Sequence, residues 1–381
     1  MDNELASFVQ IRGSIPLFWR QNINIKYKPP FEFYNHSSMS KVFREHFAQL
    51  LRTYGPVTAV NLVNHGGWEG HLAREFGKQV RELSEPNLNY VPFDFNKQCP
   101  RMQWNRVSLL IDRISEDLDR HVYFRGNLDR SLGDAHLAFT EVLQEQKGVV
   151  RTNCIDCLDR TNLLQGFIAK RALIQQLVQL GALQKGDSIN VSPPLETLFK
   201  QIWADNGDAI SKQYSGTGAL KADFTRTGRR TKRGILADGL NSLIRYYLNN
   251  FTDGERQDAM DLFYGHYTVR LDEYYSPFIY HFDRNLIFAP ILLVGSLLFM
   301  FYFGLVSHPS RIPFSITMLL TVVTFLISVF FILQNGIHYV QYPKLRPPPV
   351  VSYIRPISSV IADGRRKFFD KAVPSRKVHV I

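Results

Sequence analysis

Two long stretches without a charged side chain dominate the C-terminal part of the chain. Residues 286–306 form an apolar run of about 21 residues, close to the roughly 20 that carry an α-helix across a hydrocarbon core. A second run, residues 312–333, begins after the short link Ser307–Arg311. Two spanning helices would therefore turn back as a hairpin and leave both flanks on one side. Arg284 before the first run and Lys344, Arg346 and Arg355 after the second outnumber the one cation of the link, Arg311, which assigns both flanks to the cytosol. A buried pair of core helices is the alternative reading of the same pattern. Asp2 and Glu4 precede only a modest apolar stretch and no signal-peptide pattern is visible there, so insertion is expected to rest on the hairpin.

Upstream the pattern changes to short apolar runs and helical spacings. Val57–Asn64 is rich in β-branched and apolar residues and lies between Gly55-Pro56 and Gly66-Gly67, the punctuation of a buried strand. A second short strand is predicted over Gly148–Asn153. Between them, residues 104–120 place Val107, Leu110, Ile111, Ile114 and Leu118 at helical spacing. After residue 160, Leu163, Leu164, Phe167, Ile168, Ile174, Leu177 and Val178 continue that rhythm until Gly181 supplies a stop. Strands alternating with helices predict an α/β layer structure.

Charge adds a division. Residues 1–283 hold 34 basic and 32 acidic side chains, whereas residues 341–381 hold nine basic and two acidic ones, within a total of +11. A nearly neutral body followed by a basic tail excludes a surface built wholly for nucleic acid, and no nucleic-acid partner is expected. The tail joins Pro347, Pro348 and Pro349 to Arg365, Arg366, Lys367, Phe368 and Phe369, which suits a flexible arm near anionic headgroups; a simply solvated tail is the alternative. Three cysteines in 381 residues argue against a secreted disulfide framework. The expected organisation is a cytosolic catalytic domain over 1–283, a helical hairpin over 284–335, and a cytosolic tail over 336–381.

The segment Val149-Val-Arg-Thr-Asn-Cys-Ile-Asp-Cys-Leu-Asp-Arg-Thr-Asn162 carries the chemistry. It runs from the predicted strand through a tight loop into the predicted helix, with the form Cys-x-x-x-x-x-Arg-Thr. Such a loop can curl the backbone N–H groups of Asn153, Ile155, Cys157, Leu158 and Asp159 around a phosphate, and the helix start adds its dipole. The same donors should favour a Cys154 thiolate, the form that attacks phosphorus. Arg160 can grip two phosphoryl oxygens and stabilise the charge that spreads over them, while Thr161 can donate to the sulfur. The predicted reaction is phosphoester hydrolysis through a cysteinyl-phosphate. Asp156 is the candidate general acid, Asp94 is its competitor, and Asp159 reads as a structural partner to an arginine or to loop amides.

Other readings of the same residues remain. Cys154 and Cys157 also spell Cys-x-x-Cys, the spacing of a thiol–disulfide pair, though that function leaves Arg160 and the acids without a role. His65, Glu69 and His71 lack the spacing of a helical zinc site, and no metal or other cofactor is expected. Downstream, residues 217–233 carry six basic residues against one acid; Lys221, Arg226, Arg229 and Arg230 are candidate contacts for an anionic substrate.

Taken together, these residues resemble the Sac-domain phosphoinositide phosphatases, the membrane-anchored type of the endoplasmic reticulum and Golgi. The resemblance rests on Ser7-Phe-Val-Gln-Ile-Arg-Gly-Ser-Ile-Pro-Leu-Phe-Trp19, on Arg151–Asn162, on Trp203-Ala-Asp-Asn206, on Gln213-Tyr-Ser-Gly-Thr-Gly218 and on Asp223-Phe-Thr-Arg-Thr-Gly228. It runs from about residue 7 through the hairpin. It implies a Sac-type catalytic fold, Cys154 as nucleophile and Arg160 as phosphate ligand. It further implies a phosphatidylinositol monophosphate as substrate, chiefly the 4-phosphate, no metal, and possible partners at membrane contact sites. A Sac domain carries a substantial N-terminal subdomain ahead of the Ser-Phe-Val-Gln motif, so the resemblance implies that this chain lacks one. A membrane-bound protein tyrosine phosphatase and a catalytically silent lipid-binding tether are the alternative functions.

Overall fold

The computed structural model describes residues 4–21, 23–26, 31–34, 36–128, 139–267, 278, 284–306 and 312–345. The link 307–311 and the basic tail beyond Leu345 lie outside the described residues. The described residues divide into two compact units, one built from residues up to Trp19 and from Phe33–Arg245, the other from Arg20–Glu32 and from Tyr246–Leu345.

The strands, in chain order, are β1 (Glu4–Ser7), β2 (Ile11–Arg12), β3 (Trp19–Gln21), β4 (Phe31–Phe33), β5 (Val57–Asn61), β6 (Leu88–Pro92), β7 (Phe124–Leu128), β8 (Phe139–Gln144) and β9 (Val149–Asn153). The helices of the first unit are α1 (Met39–Tyr54), α2 (Gly67–Leu83), α3 (Phe95–Gln98), α4 (Ser108–Arg113), α5 (Ser115–His121), α6 (Asp159–Gln179), α7 (Pro193–Ser215) and α8 (Ala222–Thr227). They are followed by α9 (Lys232–Phe251), which enters the second unit at Tyr246.

The functional frame is a four-stranded parallel sheet in the order β2-β9-β5-β6. Every residue of β5 and β9 is buried, as expected of central parallel strands covered on both faces. Side chains alternate between the faces. Val60 and Val150 join Leu110, Ile114, Leu118, Leu164 and Ile168 in one core cluster. Arg151 points the other way, its guanidinium 5.8 Å from the Phe47 ring of α1, where Phe43, Phe47 and Phe76 pack together. A separate antiparallel sheet joins β1, β7 and β8.

The sequence pattern and the structure part in two places. The continuous helix expected over 104–120 is a tight turn, Trp104–Val107, followed by α4 and α5, with Ile114 leaving helical geometry between them. Ser115 Oγ donates to the Asp112 carbonyl there at 2.7 Å, a side-chain bond that competes with the helical ladder, while Leu110, Ile114 and Leu118 all stay in the core. The strand expected over 57–64 ends at Asn61; Leu62 still donates to the Asn153 carbonyl (2.8 Å) before the chain turns toward α2.

In the second unit, α10 (Asp253–Phe263) offers Asp258, whose carboxylate accepts the N–H groups of Lys344 (2.9 Å) and Leu345 (3.2 Å). The uncharged runs form α11 (Phe288–Val306) and α12 (Ile312–Gln334), which pack against each other. Both are long and apolar enough to cross a membrane. Leu298, Phe301, Leu305, Leu319, Leu320 and Phe330 face outward, each more than half exposed. Four hydroxyl groups of α11 and α12 are satisfied within their own helix: Ser296 donates to the Leu293 carbonyl, Thr321 to Thr317, Thr324 to Leu320 and Ser328 to Thr324. Internal satisfaction of that kind is what a segment without water around it requires.

Candidate active site

In parallel sheets, ligand sites form at the carboxyl ends of the strands, and four strand ends converge here. β9 leads into the loop Cys154–Leu158, which opens onto α6 at Asp159. Its neighbour β2 ends at Arg12, and Gly13 follows it. On the other side β5 leads through Leu62–Asn64 to α2, whose first turn carries Glu69, and β6 leads to Asp94.

Cys154 is fully buried. The Cys157 N–H donates to its sulfur at 3.1 Å and Thr161 Oγ1 donates at 3.4 Å. Its thiol in turn donates to Asp156 Oδ1 at 3.2 Å, and that oxygen also accepts the Leu158 N–H at 3.1 Å. The loop can present the Cys157 amide this way because Cys157 adopts a left-handed backbone, with φ of 53°.

Electrostatics complicate the thiolate expected from the loop amides. Burial first, then the hydrogen bond to Cys157 and the charge of Asp156, push the Cys154 thiol well above its ordinary value, against the pull of Arg160. Two donors do not outweigh a dry site that also holds a carboxylate, so the unliganded loop favours the thiol. Cys157 moves oppositely, lowered to about 7, chiefly by its hydrogen bond with Cys154.

Arg160 is held on the β5 side. Its Nη1 donates to the Leu62 carbonyl (3.3 Å) and to Glu69 Oε2 (3.2 Å), and the same carboxylate oxygen accepts the Asn64 N–H at 2.7 Å. Burial works against its charge, but Cys154, Glu69 and Asp156 outweigh it and keep the guanidinium above its ordinary range. Asp94 has both oxygens engaged, one with the Lys97 N–H at the start of α3 (3.0 Å), the other with the His65 N–H (2.9 Å).

Asp159 pairs as the sequence suggested, with a loop amide and an arginine: Oδ1 accepts the Leu220 N–H (3.0 Å) and Oδ2 lies 3.8 Å from Arg245 Nη1. Its carboxyl is pushed up to about 6, by burial first and then by Asp156. A carboxyl raised above its ordinary 3.8 contributes stability that is fully present below that value and is lost as pH rises through about 6. Asp159→Asn, whose amide oxygen can still accept from Leu220, should therefore gain on the parent as pH climbs from about 4 to 6. Above that it should hold a constant advantage of roughly 1–2 kcal/mol. Thermal unfolding of detergent-solubilised protein at pH 4, 5, 6 and 7 measures the difference, and parallel curves for the two proteins would refute it.

The loop opens on a cavity lined by Arg12, Trp104, Leu158, Asp159, Arg160 and Lys221. Of the four basic residues expected to face substrate, the structure brings Lys221 there, its ammonium 5.7 Å from the Trp104 ring. Lys221 has a left-handed φ of 60°, and its N–H is fixed by the Asp238 carboxylate at 2.9 Å. Arg226 pairs with Asp205 and Asp208, each at 2.8 Å, and Arg230 pairs with Asp223 and Asp238. Arg229 is exposed. Ile155 is half-buried in the loop. The buried Asn153 side chain is occupied by Asn61 (2.6 Å) and Arg151 (3.3 Å).

Three residues escaped the sequence reading. Arg12 lies inside the Gln-Ile-Arg-Gly stretch already quoted, but nothing local marks it as reaching a loop about 145 residues away, the separation of its contact with Cys157. Glu69, which in sequence stands out only between His65 and His71, holds Arg160 and the Asn64 N–H instead. Arg245 had no signal at all; it donates to Thr217, Ser211 and the Gly218 carbonyl, each at 2.7 Å, and braces the loop that carries Leu220 and Lys221.

Residues 1–100 match the SacI homology domain. With that match and the relatives below, the chain belongs to the Sac-domain family. It is 42% identical over 358 residues to the phosphatidylinositol-3-phosphatase SAC1 of Drosophila melanogaster, covering 91% of this chain and 58% of that protein. It is 43% identical over 293 residues to SAC1-A of Danio rerio, also named a phosphatidylinositol-3-phosphatase, covering 77% of this chain and 48% of the relative. The Saccharomyces cerevisiae SAC1 protein of the same name is 39% identical over 349 residues, covering 89% and 54%. The chain thus spans about half the length of the curated relatives it matches.

Proposed function

We propose that this protein is a membrane-anchored phosphoinositide phosphatase that hydrolyses the phosphate monoester of phosphatidylinositol monophosphates, chiefly the 4-phosphate. The observation that carries the reading is the buried Cys154 sulfur, which receives the Cys157 N–H and the Thr161 hydroxyl at the carboxyl edge of a parallel sheet, with the charge of Arg160 acting on that sulfur. Names of relatives support a phosphoinositide substrate, and three of those relatives are named for the 3-phosphate.

The contact between Cys154 and Asp156 supports an economical proton path. Transfer of the thiol proton to Asp156 makes a thiolate and a neutral carboxylic acid in one step. The thiolate attacks phosphorus, the bond from phosphorus to the inositol oxygen breaks, and the leaving alkoxide takes the proton from Asp156. Asp156, again a carboxylate, then accepts a proton from the water that attacks the cysteinyl-phosphate, and inorganic phosphate and the Cys154 thiolate result. Arg160 serves by moving from Glu69 to the phosphoryl oxygens, where charge accumulates in the transition state. Lys221 beside Trp104 offers a cation and an aromatic face to the inositol headgroup.

The apolar helices α11 and α12 support anchorage in a bilayer, and the bias of Lys and Arg around them supports cytosolic placement of both flanks. The resemblance adds the endoplasmic reticulum and Golgi as the compartment and contact-site proteins as partners. Phosphate release from the 3-, 4- and 5-monophosphate isomers and from a phosphotyrosine peptide tests the reading on detergent-solubilised protein. Release is expected from the lipids, with the 4-phosphate fastest. Turnover confined to the peptide would move the protein to the tyrosine phosphatases, and lipid binding without any release would make it a tether.

A further inference from the structure

Two consecutive residues of the β2 edge hold the same residue of the reactive loop. Arg12 Nη1 donates to the Cys157 carbonyl at 3.0 Å, and the next residue, Gly13, accepts from the Cys157 thiol through its carbonyl at 2.9 Å. The far end of the guanidinium is fixed as well: Nη2 donates to Asn162 Oδ1 (3.4 Å) and to Gln165 Oε1, and Gln165 Nε2 returns a bond to the Ile11 carbonyl at 3.1 Å. Arg12 is thereby strung between β2 and α6. Cys157 is held in a left-handed backbone that is sterically costly for a residue with a β-carbon. Only in that conformation does its N–H point at the Cys154 sulfur, 3.1 Å away. A residue gripped by its carbonyl on one side and its thiol on the other keeps a strained conformation that it would otherwise leave.

We propose that Arg12 is a positioning residue for Cys154: by fixing the Cys157 carbonyl it holds Cys157 in the backbone conformation that turns its own N–H, in the preceding peptide, toward the reactive sulfur. The proposal rests on Cys154 as the nucleophile. The groups facing that sulfur are Asp156, Cys157, Arg160 and Thr161 from its own loop and helix, with the Arg12 charge acting from β2.

The test reads Cys154 reactivity directly, so it holds whether or not the chain releases phosphate. The full-length protein is treated with iodoacetamide from pH 6 to 10, and alkylation is assigned to Cys154 by mass spectrometry. Arg12→Gln is expected to slow Cys154 alkylation at pH 7 by about tenfold and move the profile to higher pH, the effect of losing one donor to the sulfur. In an active parent the loss falls on kcat with KM little changed. Arg12→Lys keeps the charge but offers a single flexible donor, and should recover less than half of the loss. Cys157→Gly tolerates the left-handed backbone and keeps the N–H, so its rate should stay within about threefold of the parent; Cys157→Val, barred from that backbone, should reproduce the Arg12→Gln loss. An unaltered profile in folded Arg12→Gln, or full rescue by Arg12→Lys, overturns the proposal, the latter because charge alone would then suffice. Should Arg12→Gln not fold, equal rates for Cys157→Gly and Cys157→Val overturn it. A loss confined to KM makes Arg12 a substrate contact and overturns it too.

Discussion

Cys154→Ser is expected to lower phosphate release by at least about 10⁴-fold while lipid binding persists, the scale on which removal of a nucleophile is felt. Serine keeps the size of the side chain and can still accept from the Cys157 N–H and Thr161, so the loop should stay in place. Its hydroxyl, however, gives up a proton far less readily than a thiol, and Asp156 is the proton acceptor within reach. Single-turnover release from a short-chain phosphatidylinositol 4-phosphate, with binding to liposomes measured on the same sample, separates the two effects. Turnover at the parental rate in the serine variant would remove Cys154 from the chemistry.

Arg160→Lys should cost about 10²–10³-fold in kcat/KM, the size observed when a preorganised donor to a developing charge is lost. A lysine carries the charge but cannot bridge two phosphoryl oxygens. The starting geometry sharpens the expectation. Arg160 is tied to Glu69 and the Leu62 carbonyl, so substrate phosphate must draw it away from a carboxylate at 3.2 Å. Glu69→Gln, which keeps an acceptor for the Asn64 N–H, should therefore lower KM for the anionic headgroup while Arg160→Lys raises it. Steady-state kinetics across lipid concentration give both. Identical kinetics for Arg160→Lys and the parent would sink the role assigned to the guanidinium.

These two predictions concern residues that stand close together along the chain, and that is why they could be named before any fold was known. Strand, loop and helix follow one another over Val149–Gln179 without interruption, so the spacing of Cys154, Asp156, Arg160 and Thr161 is also their geometry. The stop at Gly181 and the two apolar helices were legible for the same reason: each depends on local backbone preference or on hydropathy along a single segment. The basic stretch 217–233 shows where such reading ends. Six cations in a row of residues look like an anion site, yet Arg226 and Arg230 are neutralised by Asp205, Asp208, Asp223 and Asp238, and only a folded chain reveals which carboxylate meets which arginine. The Asp159 pairing with Leu220 and Arg245 could be anticipated in kind, but neither partner could be named.

Residue identity and the order of local elements were thus written into contiguous residues: a cysteine, an arginine six positions on, a helix that follows them, and apolar runs of membrane length. The strand order β2-β9-β5-β6 was decided only in three dimensions, because pairing between parallel strands depends on side-chain burial across long crossovers rather than on any nearby signal. That order sets Arg12 on one flank of the loop and Glu69 on the other, and it buries Cys154 deeply enough to hold its proton. Desolvation and the opposing charges are properties of the packed site, so the state of the sulfur belongs to the tertiary structure even though its position belongs to the sequence.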